Sequence, residues 1–548
     1  MKKFSNHKWI LVLLIFLTGF QLNFAQDTPS TSTINRPNNV RTSPFAPPEN
    51  TDHSFSTDKA PKLDTGCIFR SSGPITFNIE VKRYLGPLNA NGTLQNIQRL
   101  ISEGLISREV ELIMPAFDVD SGANLPNTQP ELDKVSINGF EVGFLRGQNN
   151  QWVNNSFKIP IEKIKFANKG IDGEEPNGGV NEIRIDIDTA NSSESWCTSI
   201  DWGTVRFRAM SPIILIHGNG SNGGFFVRQG FTQELDAKGI VYDNSIELNP
   251  NLLPNGLRDT KSVAVNGARL NELIPKIVRQ FGATNVHLIA HSKGGLDTRE
   301  YLGKFQRSHN RDFKVLSLTT LGTPHNGSVL ADISIARIVA LSNVGILADD
   351  VDLENFPTFT QFLVEQVDKN GVDKGRYDLT TEFLANFNSN NLRLLDRNTT
   401  FSAISGDTDE NSSQSVDSVD EYQELIPESP ELQSLPEFIA TRAVNVAYQN
   451  LRLNKSVTTT LERRCFLGFN CKKVLVIRPV ANSTPLGNDT LVTTPSGLGT
   501  GSYSSVTTNS STFTGANGRN HSSIANSGIA QTAIPWLLQV DRTKGGLK

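Results

Sequence analysis

Two textures of apolar and polar residues divide the chain. Between about Leu63 and Ala209 the two kinds alternate with a period of two, as in strands that bury one face. Ile75-Thr76-Phe77-Asn78-Ile79-Glu80-Val81 and Glu182-Ile183-Arg184-Ile185-Asp186-Ile187-Asp188 are the clearest runs. Val135 to Val142 carries Asn138-Gly139 between two short apolar stretches, a hairpin signal, because both turn positions need positive φ. Thr204 to Arg208 reads as a last strand. These residues, 63–210, predict a small β-sandwich domain.

From Pro212 the pattern changes. Ile213-Ile214-Leu215-Ile216 is apolar without alternation, as in a strand buried on both faces. Helix-like spacing follows over Val227–Lys238, a strand near Ile240–Ile246, and helical spacing again over Val265–Phe281. Apolar runs at Asn285–Ile289, Lys314–Leu321 and Phe401–Ser405 read as further strands. Strand–helix alternation predicts an α/β fold over 211–548, with a mostly parallel central sheet covered by helices. The alternation breaks between Ser328 and about Thr399. Val329–Leu347 is very apolar and Phe356–Val367 carries three Phe, so 328–399 is read as an inserted cap or lid, with ordinary core helices of the sheet as the alternative for any one piece. Asp407–Glu437 holds ten acids and no Lys or Arg, which predicts a solvated excursion. Lys473–Ile477 reads as one more strand of the sheet, and Thr493–Gly518 as a Ser/Thr/Gly/Asn-rich loop.

The first residues change the setting. Lys2 and Lys3 precede an apolar run from Trp9 to Phe20, and Asn23-Phe24-Ala25 forms a cleavage-like site. Residues 1–25 therefore read as a secretory signal peptide, too short to span a bilayer, which takes about 20 apolar residues. Residues 26–62 are rich in Pro, Ser, Thr and Asn and predict a disordered leader. The expected location is outside the cytoplasm, extracellular or periplasmic. Without Lys2, Lys3 and Lys8 the formal charge moves from −4 to −7, which argues against nucleic acid as a partner. Four cysteines in an exported chain predict disulfides rather than metal ligation; sequence order suggests Cys67–Cys197 and Cys465–Cys471, and three pairings are possible. Loop acids Asp118, Asp120, Glu131, Asp133 and Asp201 could include ligands of a structural calcium ion; solvated loop acids are the alternative.

The chemistry concentrates at Ala290-His291-Ser292-Lys293-Gly294-Gly295, between an apolar strand and a helix-like run. A sharp strand–turn–helix junction lifts a serine hydroxyl clear of a sheet, and small residues at 290 and 294 let strand and helix pass closely. A serine needs a base and an acid to orient that base, and in this layout they follow in the order acid, then His. Of the eight histidines only His309, His325 and His521 follow Ser292. His309 and His325 come before any plausible acid, which leaves His521 as the expected base. Asp489, in Asn488-Asp489-Thr490-Leu491-Val492, is the first choice of acid, and Asp407 is the alternative. The oxyanion hole needs two backbone N–H groups. Lys293 and Asn219, the latter in His217-Gly218-Asn219-Gly220, are expected to supply them.

Together these motifs resemble the bacterial triacylglycerol lipases and carboxylesterases of the α/β-hydrolase superfamily. The similar stretches are Pro212–Gly218, the Ser292 turn, Leu321–Ser328, Asp378–Asn388, the Asp489 loop and Asn520-His521. Thr490 stands where the family more often has Gly. The resemblance implies hydrolysis of carboxylic esters with hydrophobic acyl chains, through an acyl-enzyme and beneath a mobile lid. It implies a lipid or other ester substrate, often at an oil–water interface. No cofactor is required, and a structural calcium ion near the acid loop is possible. Polyester depolymerase, thioesterase or acyltransferase activity with the same three residues stays open, as does a non-catalytic surface-binding protein. The β-sandwich has no counterpart in minimal lipases and reads as an accessory module for a surface or carbohydrate.

Overall fold

The computed structural model describes residues 43–49, 51, 53–57, 63–120, 130–190, 197–249, 260–329, 331–332, 374–407, 456–466, 469–480, 486–489, 491–513, 519–545 and 547. The expected signal peptide lies outside the described residues. So do Phe356–Val367, Val329–Leu347 except for 329, 331 and 332, and the acidic excursion after Asp407.

The N-terminal region holds twelve strands: β1 (Ser54–Ser56), β2 (Ile68–Phe69), β3 (Ile75–Glu80), β4 (Glu109–Phe117), β5 (Lys134–Ile137), β6 (Phe140–Phe144), β7 (Trp152–Pro160), β8 (Ala167–Asn168), β9 (Asn177–Gly178), β10 (Val180–Asp186), β11 (Cys197–Ile200) and β12 (Thr204–Arg206) among the described residues. One antiparallel sheet runs β1-β12-β4-β11-β2 with β7 also on β4; another runs β3-β10-β5-β6. The alternation read from the sequence is a burial alternation: Ile75, Phe77 and Ile79 are buried while Thr76, Asn78 and Glu80 are exposed. The β5–β6 turn uses Asn138 and Gly139 at φ 49° and 78°, as that dipeptide predicts. Cys67 and Cys197 form a disulfide across the β2–β11 edge, Cα atoms 5.4 Å apart.

Part of the expected leader is structured. Ser54–Ser56 pairs antiparallel with Thr204–Arg206. Ser43 N–H donates to Asp201 Oδ2, and Trp202 Nε1–H donates to the Phe45 carbonyl. Polar composition hid these contacts because the leader enters each of them through its backbone N–H and C=O groups, which every residue type carries.

The second region is built on a parallel sheet, order β14-β13-β15-β16-β17-β20, from β13 (Ile213–Ile216), β14 (Tyr242–Asp243), β15 (Asn285–His291), β16 (Lys314–Leu321), β17 (Thr400–Gly406) and β20 (Thr507–Phe513). Its helices include α1 (Phe231–Lys238), α2 (Val263–Phe281), α3 (Lys293–Lys304), α4 (Thr381–Asn391) and α5 (Ser527–Lys544). In α2 the Ser262 hydroxyl caps the first turn by accepting from Val265 N–H. Leu270, Ile274, Ile277, Val278 and Phe281 share its buried face, each burial stabilising by about 1.5–3 kcal/mol.

Two assignments at the sheet edge differ from the sequence reading. Among the described residues, Lys473–Ile477 is not in the central sheet; it belongs to β19 (Phe469–Val480), which pairs with β18 (Ser456–Phe466) in a two-stranded ribbon. The sixth strand is β20, inside the segment read as loop. An edge strand has one neighbour and can stay polar, so Thr-Thr-Asn-Ser-Ser-Thr carries no apolar signal. Cys465 and Cys471 lie on opposite strands of the ribbon; their side chains fall outside the described residues.

Residues 374–399 of the expected lid include α4, which packs on α3, the helix that follows Ser292. Leu384 and Phe387 share a buried cluster with Leu296 of α3 and Val263 of α2. The two regions also share one core. A single cluster runs from Phe77, Val110 and Ile183 in the antiparallel sheets through Phe207 and Met210 to Ile213, Leu215 and Phe231. Buried Arg83 donates to the carbonyls of Phe281 and Met210, and Lys169 pairs with Asp243 at 2.6 Å.

Candidate active site

Ser292 sits between β15 and α3 with φ 53° and ψ −134°, a conformation that costs a non-glycine residue about 1–3 kcal/mol. The surroundings hold it there. Ser292 N–H donates to the Leu321 carbonyl of β16, and its own carbonyl accepts from Gly295 N–H. A side chain at Gly294 would come within 2.3 Å of the His217 carbonyl, so only glycine lets α3 start this close to the loop after β13. The strain aims the hydroxyl outward from the carboxyl end of the sheet, where the loops of an open parallel sheet converge.

His521 follows β20 on a tight turn. The Asn520 side chain accepts from Ser522 and Ser523 N–H, and the Asn520 carbonyl accepts from Ile524 N–H. The turn sets His521 Nε2 2.8 Å from Ser292 Oγ and His521 Nδ1 2.8 Å from Asp489 Oδ2. Asp489 is fully buried, and its other oxygen accepts from Val492 N–H at 2.7 Å and Leu491 N–H at 3.1 Å. The acid is thus pinned by its own loop with one oxygen left for the imidazole. A carboxylate there can only accept, so Nδ1 carries the proton and Nε2 is free to accept from the serine hydroxyl. Ser292 is 9% and His521 6% exposed, so little water surrounds the pair.

The two residues expected to supply backbone donors flank this serine. Lys293 N–H begins α3 and has no acceptor within the helix. The Lys293 side chain turns away, to a buried pair with Asp297 at 2.7 Å. Burial pushes the Asp297 carboxyl above its usual range against the pull of Lys293. Asn219 is half-buried and follows Gly218, where an added side chain would lie 2.7 Å from Ser292 Cβ. His217 is structural: Nδ1–H donates to the Gly218 carbonyl and Nε2 accepts from Leu248 N–H.

No family model matches the chain. A stretch of 65 residues, 12% of the chain, is 43% identical to "Triacylglycerol lipase 2" of Saccharomyces cerevisiae and covers 19% of that protein. A stretch of 126 residues, 22% of the chain, is 31% identical to a triacylglycerol lipase of Pseudarthrobacter phenanthrenivorans and covers 35% of it. The chain is similar to triacylglycerol lipases. It spans about a fifth to a third of the length of these curated relatives. Among solved structures, the Bacillus licheniformis lipase BlEst2 in its propeptide form is 18% identical, with a TM-score of 0.35 over 60% of this chain and 50% of that one.

Around this lipase-like site, Asp407 does not reach the imidazole. Its Oδ1 accepts from Asn488 N–H, so it braces the loop that carries Asp489. Among the described residues no group of three or more His, Cys, Asp or Glu side chains is arranged to hold a metal ion. Of the five loop acids, Glu131 and Asp133 meet in the N-terminal region around the Thr198 hydroxyl, whose oxygen lies 3.0 Å from Glu131 Oε1 and 2.5 Å from Asp133 Oδ2. Burial and the Asp133 charge push Glu131 up to about 9, so this pair shares a proton at neutral pH. Asp118 accepts from Asn150 N–H and Asp201 from Ser43 N–H.

Two histidines matter in ways the sequence did not signal. His325 is buried against Tyr503, ring centroids 3.9 Å apart, and its Nδ1 accepts from Arg299, which also donates to Asn388 of α4. Burial and the Arg299 charge hold His325 well below the usual histidine range. His291 stacks on Phe225 at 4.3 Å, and its Nε2 lies 2.6 Å from the His521 carbonyl. Both contacts join residues far apart in the chain, which spacing cannot reveal.

Proposed function

We propose that this chain is a carboxylic ester hydrolase of the lipase and esterase kind, working through an acyl-enzyme. The observation that carries the reading is the pair of 2.8 Å contacts linking Ser292, His521 and Asp489 in that order on a strained turn. Ser292 Oγ attacks the ester carbonyl while its proton passes to His521 Nε2. Asp489 accepts from Nδ1–H and stabilises the imidazolium. Backbone N–H groups of Lys293 and Asn219 stabilise the oxyanion, one such donor lowering the barrier by about 3 kcal/mol. The tetrahedral intermediate collapses, and His521 gives its proton to the departing alcohol. Water then gives a proton to His521 and attacks the acyl carbon, and Ser292 leaves with that proton restored.

Hydrophobic acyl esters are the expected substrates, because the similar curated proteins are named triacylglycerol lipases. Export through residues 1–25 is part of the proposal, supported by the Cys67–Cys197 disulfide, which persists in oxidising compartments. A fluorophosphonate probe tests the serine directly. It should label the wild-type protein at Ser292 within minutes and leave Ser292→Ala unlabelled. A folded wild-type protein that takes no label at Ser292 would end the hydrolase reading in favour of a binding protein.

A further inference from the structure

His291 is the last residue of β15 and immediately precedes the proposed nucleophile. Its ring is buried, stacked at 24° on Phe225, with Nε2 2.6 Å from the backbone carbonyl of His521. A carbonyl only accepts, so this nitrogen carries a proton. The other nitrogen, Nδ1, is buried, has no hydrogen-bond partner among the described residues, and faces Gly218, where an added side chain would come within 3.1 Å of it. A second proton there would be an unpaired buried N–H on a cation beside the base, since the rings of His291 and His521 are 4.9 Å apart. The titratable groups facing the ring are His521 from the base loop and His217 from the loop after β13. Burial and both of these hold His291 well below the usual histidine range, so it stays a neutral donor.

We infer that His291 is a positioning residue: its Nε2–H holds the backbone of His521 and fixes the base against the serine next in the chain. The inference rests on the proposed roles of Ser292 and His521. Two bonds then join nucleophile strand and base loop. One, from Ser292 Oγ to His521 Nε2, must break and re-form as the serine is acylated and freed. The other lies outside the reacting atoms and persists through every step. While Ser292 Oγ is bound to acyl carbon, the His291 bond keeps the imidazole where water can meet it. Keeping a reacting group within a fraction of an ångström of its productive position is worth on the order of 100-fold in rate. A neutral donor suits this task, because a cation at 291 would repel the imidazolium that forms at 521.

The test compares His291→Gln, whose side-chain amide reaches as far as Nε2, with His291→Asn, which is too short. Both are assayed on a soluble p-nitrophenyl ester, with thermal melting as the fold control. His291→Gln should keep kcat within about three-fold of wild type, and His291→Asn should lose about 10- to 100-fold in kcat with KM nearly unchanged. Equal kcat in the two folded variants, or a loss confined to KM, overturns the positioning role. Should neither fold, nitrogen-15 histidine NMR of the wild-type protein decides. His291 must show a protonated Nε2 and a bare Nδ1 from pH 5 to 8, and a resonance that titrates in that range overturns the proposal. Ser292→Ala is run alongside. If it retains turnover, the hydrolase reading fails whatever His291 does; if it is inactive while His291→Asn matches wild type, only the positioning role fails.

Discussion

Gly322 lies directly against Asp489: a methyl group on its Cα would stand 2.9 Å from Asp489 Oδ2 and 3.3 Å from His521 Nδ1. Its φ of 58° also disfavours any larger residue. The carboxylate cannot simply swing aside, because two backbone N–H groups hold its other oxygen. Gly322→Ala should therefore fold and yet lose about 10- to 100-fold in kcat through displacement of the acid–base pair. Circular dichroism and ester kinetics on one preparation check this, and unchanged kcat would mean the pair tolerates displacement.

The acid can be separated from its neighbour by isosteric replacement. Asp489→Asn keeps the size but removes the charge that stabilises the imidazolium, and about 10²- to 10⁴-fold in kcat should go with it. Asp407→Asn still offers an oxygen to Asn488 N–H and should cost less than about 10-fold. A pair of kcat values in the reverse order would transfer the acid role to Asp407.

Glu131 makes the N-terminal region sensitive to pH. Its folded value is raised to about 9, chiefly by burial and then by Asp133. An acid raised on folding contributes stability that is fully present below its unfolded value, about 4.3, and is lost as pH climbs toward 9. Glu131→Gln keeps a hydrogen-bond donor that cannot ionise. Urea unfolding should find the variant near wild type at pH 5 and increasingly more stable than wild type toward pH 9. The gain should stay below about 1.4 kcal/mol per pH unit, since Asp133 shares the proton. A stability difference that does not change with pH would show that Glu131 is ionised in the fold.

The two regions should not separate. Phe207 and Met210 share a core with Ile213, Leu215 and Phe231, so residues 211–548 alone would expose apolar surface that the N-terminal sheets cover. That fragment should aggregate or melt far below the full chain. A soluble fragment with the melting temperature of the full chain would restore the picture of a detachable accessory module.

How much of this was legible in the sequence depended on whether the cause was local. Ile213–Ile216 announced a central strand because burial on both faces leaves no polar position. Asn138-Gly139 announced a hairpin because positive φ restricts the residue types there. The Ser292 turn could be read from the small residues around it, and His521 and Asp489 from chain order. What escaped depends on partners distant in the chain. Thr507–Phe513 is a strand because β17 offers it an edge, and Ser54–Ser56 because β12 does. Lys473–Ile477 has the apolar content of a sheet strand but finds its partner in the neighbouring hairpin arm. The continuous core and the bond from His291 to His521 exist only once the chain is folded.

The central claim is that one hydroxyl, activated by His521, performs the chemistry. Ester turnover by Ser292→Ala, measured on a preparation whose melting matches wild type, tests it most directly. The account predicts a loss of about 10⁴-fold or more in kcat. Undiminished turnover in that folded variant would contradict it.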